Sequence, residues 1–195
     1  AVAQLSESYG QEGKYSQLWT EVSELLNITS RLQMKEGYWG SLEGARVALL
    51  TGNFETGLAL SKQIIGSAEG AILQEGIWLN AIMSAQVKDS EALKLALEKT
   101  DEVNKPWIEA FDNVSTHQQI FDVDALVTST VSAQQFVTGT LFLAPSCDVC
   151  VEKLVPIALE KAIFNGDKIR LQLIQEIWFR ANGNATESQN ILAKL

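Results

Sequence analysis

Gly37-Tyr38-Trp39-Gly40-Ser41-Leu42-Glu43-Gly44-Ala45-Arg46-Val47-Ala48-Leu49-Leu50-Thr51-Gly52-Asn53-Phe54-Glu55-Thr56-Gly57-Leu58-Ala59-Leu60-Ser61-Lys62-Gln63-Ile64-Ile65 reads as a helical hairpin. Its centre, Thr51-Gly52-Asn53-Phe54, places a glycine to close one helix and an asparagine to cap the next. Beyond the turn, Phe54, Leu58, Ile64 and Ile65 recur at helical spacing, with Ser61 inside the stripe. The same grammar extends in both directions. Tyr15, Leu18, Trp19, Val22, Leu25 and Leu26 form one apolar face, and Ile169, Leu173, Ile177 and Trp178 form another. Strand-like alternation is not sustained anywhere. Only the β-branched and aromatic run Phe136 to Leu143 is compatible with a strand.

Further breaks punctuate the chain. Lys88-Asp89-Ser90-Glu91 supplies an aspartate cap with acid in the first turn. Asn165-Gly166-Asp167 is expected to close and cap like Gly52-Asn53. Asn184 with Glu187 three residues on fits a capping box. Glu12-Gly13-Lys14-Tyr15 is a comparable break near the start, and Phe121-Asp122-Val123-Asp124 is another. Gly13 to Gly52 is 39 residues, Gly52 to Lys88 is 36, and Lys88 to Asp122 is 34. Gly166 follows Asp122 by 44, and Trp39 and Trp78 lie 39 apart. Such periods mark stacked helical hairpins, and they predict roughly nine to eleven helices in a single all-α domain.

The residues that carry this period resemble the tetratricopeptide repeat. Gly37-Tyr38-Trp39, Ala45, Ala48, Gly52-Asn53-Phe54-Glu55, Leu58 and Ile64-Ile65 look like one unit, in which Ala45 and Ala48 let the two helices approach closely. Trp78, Ala81, Lys88-Asp89-Ser90-Glu91-Ala92-Leu93 and Pro106 resemble a second, and Gly13-Lys14-Tyr15 with Leu18 and Trp19 the latter half of another. The likeness covers residues 11–106, and 107–195 read as an irregular helical continuation. It departs from the family where Gly57 replaces the usual alanine and where the second turn is one residue short. The resemblance implies an α-α hairpin superhelix with a concave face bearing Trp39, Leu42, Arg46 and Leu49. That face commonly takes an extended or helical peptide, and Arg46 would pair with a partner carboxylate. An irregular helical bundle is the competing architecture.

The chemistry of the chain points away from catalysis. It has 195 residues, with 24 Asp and Glu against 15 Lys and Arg, a net charge of −9 that opposes unaided binding to nucleic acid or anionic lipid. It carries no H-E-x-x-H, G-x-S-x-G, Walker loop or G-x-G-x-x-G. His117, the only histidine, reads as a surface residue, and no cofactor or metal is implied. Leu126 to Ala144 is the most apolar window but holds Gln134, Gln135 and several hydroxyls, too polar for a stable membrane span.

Cys147 and Cys150 are spaced C-x-x-C after Pro145-Ser146. A redox motif needs a strand before it, and a zinc site needs ligands the chain lacks. A short structural disulfide, or two thiols at a helix start, is expected instead. Glycosylation triplets begin at Asn27, Asn113 and Asn184, which with the paired cysteines tilts the compartment towards export rather than cytoplasm. No basic stretch precedes an apolar run at Ala1-Val2-Ala3, so any secretory leader is expected to be gone already. The five tryptophans read mainly as core packing, with Trp39 the expected exception. A non-catalytic peptide- or protein-binding module, as an assembly or export accessory, is therefore the leading expectation. The alternatives are an exported bundle holding a small apolar ligand among its aromatics, and a thiol–disulfide protein using the C-x-x-C.

Overall fold

A computed structural model describes residues 14–31, 37–116 and 121–195. The described residues form eleven α-helices and no strand. In chain order they are α1 (Tyr15–Arg31), α2 (Gly37–Thr51), α3 (Phe54–Ser67), α4 (Gly70–Val87), α5 (Ser90–Lys99), α6 (Lys105–Ser115), α7 (Val123–Thr128), α8 (Ala133–Leu143), α9 (Asp148–Lys161), α10 (Asn165–Ala181) and α11 (Ala185–Leu192). Each packs on a sequence neighbour. In addition α2, α4 and α6 lie side by side, and α8 joins α6 to α9.

The packing is organised around α4. Its sequence is apolar on every side, and a helix hydrophobic all round must be buried. Every residue from Gly76 to Ala85 is buried. One side of α4 meets Leu42 and Ala45 of α2 and Leu58 and Ile64 of α3 through Leu79 and Met83. Its other side meets a larger core of Trp107, Phe111, Phe136, Leu154 and Leu171 through Ile77, Trp78 and Ala81. A buried polar pair, Asn80 of α4 and Ser61 of α3, is satisfied across the α3–α4 contact. Asn80 donates to Ser61 Oγ at 2.9 Å, and Ser61 donates to the Leu58 carbonyl at 3.0 Å.

Gly57, where the repeat family prefers alanine, is a packing requirement. A Cβ there would lie 2.3 Å from Met83 Sδ and 3.0 Å from Ala48 Cβ. Gly139 has the same role deeper in the core. Its absent Cβ would stand 2.6 Å from Trp107 Cζ3.

Several local expectations are corrected. Phe136 to Leu143 is helical, within α8, because Ser132 and Gln135 form a reciprocal capping box and Phe136, Val137 and Leu143 reach the core at helical spacing. That box was expected at Asn184, whose side chain makes no cap bond, with Glu187 merely in the first turn of α11. Asn53 does not cap α3 either. Its Nδ2 donates to Thr51 Oγ1 at 2.8 Å, while Gly52 takes the left-handed φ of 75° that closes α2. Asn165 and Gly166 lie within the first turn of α10, so that break falls at Ala162 to Phe164.

Other helix starts follow the reading. Asp89 accepts the Ala92 amide at 3.0 Å, and Asp122 accepts those of Asp124 and Ala125. The apolar stripe of α10 divides. Trp178 packs on the core, whereas Ile169, Leu173 and Ile177 are 41–54% exposed, because Leu171 and Ile174 supply the face that meets α8 and α9. Leu126 to Ala144 is split between α7 and α8, and no helix among the described residues is long and apolar enough to cross a membrane.

Candidate functional site

The N-terminal half of α4 forms one wall of an open groove of about 560 Å³. Opposite it stand the loop before α6, with Asp101, Val103 and Asn104, and the approach to α8, with Thr130 to Gln135. The walls are fastened by α4 itself. Gln74 Oε1 accepts the Asp101 amide at 3.0 Å, which ties the loop to the helix. Asp101 in turn accepts the Asn104 amide at 2.9 Å and starts the turn that leads into Pro106 at the head of α6. Val103 is 42% exposed, and Val131 and Leu73 line the floor, so the groove mixes apolar surface with amide side chains from Gln74 and Gln135. The volume falls in the range of binding clefts, and the lining is mostly polar with no aromatic side chain.

Arg46 sits at the edge of this region. Its guanidinium bridges Glu43 on its own helix and Glu75 on α4, the latter at 3.2 Å, and Glu75 lines the groove. Arg46 therefore clamps α2 to α4, with a third of its side chain exposed. A partner carboxylate would have to compete with two internal ones. Leu42, expected on the concave face, is 1% exposed and belongs to the small core with Ile64 and Leu79. Leu49 is partly buried and packs against both cores. The Trp39 side chain lies outside the described residues, although its backbone is in α2. Of the three expected groove residues whose side chains are described, Arg46 is the one with both a polar head and solvent access. The residues that do line the groove were missed, because the loops that bring Asp101, Val103 and Thr130 against α4 are irregular and have no period to read.

The aromatic residues of the main core are occupied with one another. Trp78 and Trp107 are fully buried, and with Phe111 and Phe136 their ring centroids lie 5.2–6.3 Å apart in tilted and edge-on contacts. Both indole N–H groups are used, Trp107 donating to Ser129 Oγ at 2.8 Å and Trp78 to Thr138 Oγ1 at 3.4 Å. These two tryptophans follow the packing expectation.

Cys147 and Cys150 are at disulfide distance, with Cα atoms 5.2 Å apart, at the start of α9. Beside them a cavity of about 440 Å³ is lined by Cys147, Asp122, Asp124, Asp148 and Lys153. Lys153 donates to Asp124 Oδ1 at 2.6 Å, which ties α9 to α7. That hydrogen bond raises the Lys153 pKa against desolvation, with the surrounding carboxylates adding to the rise. Asn27 lies exposed on α1, Asn113 on α6 donates to the Glu109 carbonyl, and Asn184 precedes α11. His117 lies outside the described residues. Among the described residues no three His, Cys, Asp or Glu side chains gather to hold a metal.

No protein-family model matches this chain, and neither a curated protein nor a solved structure matches it.

Proposed function

We propose that this chain is a non-catalytic binding module that takes a peptide segment of a partner protein in the groove beside α4. The carrying observation is that groove, with one wall on the first turns of α4, whose later turns are buried in the core, and the other on loops tied to it by Gln74. Walls tied together in this way cost less ordering on binding. The side-by-side arrangement of α2, α4 and α6, alternate helices of the chain, supports a tetratricopeptide-like superhelix as the scaffold. Val103 and Leu73 offer apolar contact to an extended segment. An assembly or export accessory role agrees with such a site.

The test uses peptides selected on the purified chain from a random library, measured by fluorescence anisotropy. Val103→Arg and Ala71→Trp, both at exposed groove positions, are expected to weaken binding at least about tenfold, or about 1.4 kcal/mol, without moving the urea midpoint. Selected peptides that bind both variants like the parent chain refute the assignment. Arg46→Glu is a poor probe, because it sets a third carboxylate beside Glu43 and Glu75.

A further inference from the structure

We propose that Cys147 and Cys150 form a redox-active disulfide that exchanges with thiols through Cys147 and favours neutral or cationic thiols over anionic ones. The two sulfurs sit in unlike surroundings. Cys150 is 0% exposed and belongs to the main core, whereas Cys147 is 8% exposed and forms part of the wall of the 440 Å³ cavity. A thiolate entering that cavity meets Cys147 Sγ first, and the buried Cys150 is the group that leaves.

The position of Cys147 stabilises what the exchange produces. It is the N-cap of α9, a helix of 14 residues, and its Sγ accepts the Cys150 amide N–H at 3.1 Å. A Cys147 thiolate therefore inherits an amide donor and the positive end of the helix dipole, the two effects that lower thiol basicity at helix starts. Stabilising the reduced form makes the disulfide more oxidising. Opening the bond does little to the fold. A loop this short closes less unfolded-chain entropy than a long one, and Lys153–Asp124 at 2.6 Å still fastens the start of α9 to α7.

The exchange balances in two steps. A thiolate attacks Cys147 Sγ, the Cys147–Cys150 bond breaks, and its electron pair leaves on Cys150 Sγ, which takes a proton from water. A second thiolate from the same partner then attacks the partner sulfur of the mixed disulfide and expels Cys147 as thiolate. Two partner thiols become one disulfide, and two electrons pass to the chain. The reverse sequence reduces a partner disulfide. The co-reactant class is a dithiol or its disulfide.

The charges around Cys147 set the preference. Asp148 follows it in sequence, Asp122 and Asp124 face it from the head of α7, and Lys153 is engaged by Asp124. The three carboxylates outnumber the one ammonium, so an anionic thiol is repelled on approach. They also oppose the Cys147 thiolate, but all three are exposed and screened by water, whereas the Cys150 amide is in direct contact.

The full oxidised chain is first equilibrated in glutathione buffers of rising reducing strength, alkylated and weighed, with helix content followed by circular dichroism. The disulfide is expected to open within the range of cellular thiol buffers while helix content stays unchanged. A pair that stays oxidised throughout that range, or that opens only as the helices melt, overturns the proposal. Reduction rates with cysteamine and with mercaptoethanesulfonate, corrected for thiolate fraction, are expected to differ by about tenfold at low salt in favour of the cation and to converge at high salt. Equal rates at low salt overturn the charge preference. Cys150→Ser, which keeps Cys147, is expected to form a mixed disulfide with cystamine at least about tenfold faster than Cys147→Ser. Equal rates, or the reverse order, overturn the assignment of Cys147 as the reacting sulfur.

Discussion

Gly139→Ala adds one methyl group to the most crowded point of the structure. The new Cβ would stand 2.6 and 2.7 Å from Trp107 Cζ3 and Cε3 and 3.1 Å from Trp78 Cζ2. Carbon atoms pack at about 3.5–4.0 Å, so roughly 1 Å of movement is demanded. Neither indole can supply it. Both are fully buried, Trp107 is pinned by its bond to Ser129, and Phe111 and Phe136 pack against the indoles. Overpacking of this kind costs about 1–3 kcal/mol, occasionally more.

Against that stands the helix propensity of alanine over glycine, about 1 kcal/mol in favour of the variant. Against two fully buried indoles the clash belongs in the upper half of that range, about 2–3 kcal/mol, leaving a net loss of about 1–2 kcal/mol and a melting temperature lower by about 2–8 °C. Gly66→Ala is the matched control. Gly66 is exposed on α3 with nothing within 4 Å of its missing Cβ, so there the propensity acts alone and stability should rise by about 0.5–1 kcal/mol. Urea titrations of the two variants and the parent, followed at 222 nm, give both numbers. If Gly139→Ala is as stable as the parent chain, α8 does not cross Trp107 and Trp78 in the register described here.

Other expectations follow from the same core. Asn80→Ala strips the Ser61 hydroxyl of its donor inside the α3–α4 contact and should cost about 1–3 kcal/mol in urea titrations. In a double-mutant cycle, Ser61→Ala combined with Asn80→Ala should fall short of additivity by at least about 0.5 kcal/mol. Burial pushes the Asp167 carboxyl above its usual 3.8, while Arg170 and a hydrogen bond from Gln134 pull it back. The folded chain then holds that proton more tightly than the unfolded chain, so this group's contribution to stability falls as pH rises from below 3.8 through the raised value. Asp167→Asn should therefore gain stability relative to the parent between pH 3 and pH 7 in parallel thermal melts, and a constant difference refutes the burial argument. Ile169→Lys and Ile177→Lys, on the exposed side of α10, should each change stability by less than about 0.5 kcal/mol.

The helical nature of this protein was written in its sequence wherever a periodic face met a local stop signal. Gly52, Asp89 and Asp122 end or begin helices through bonds to backbone groups a few residues away, so nothing distant is needed to read them. Asn53 and Asn184 carry the same signal without the bond, since a cap forms only if the neighbouring turn leaves the amide free. The apolarity of α4 on every side requires burial but does not say which helices cover it.

Tertiary structure alone decided the rest. Leu42 left the expected groove for the core because α2 turns that face towards α3 and α4, and the α10 stripe split because only part of its circumference meets α8 and α9. The groove beside α4 and the cavity beside Cys147 are made by loops from distant parts of the chain. Periodicity reports one helix face at a time, whereas a site is set by which faces and loops the packing of buried side chains brings together.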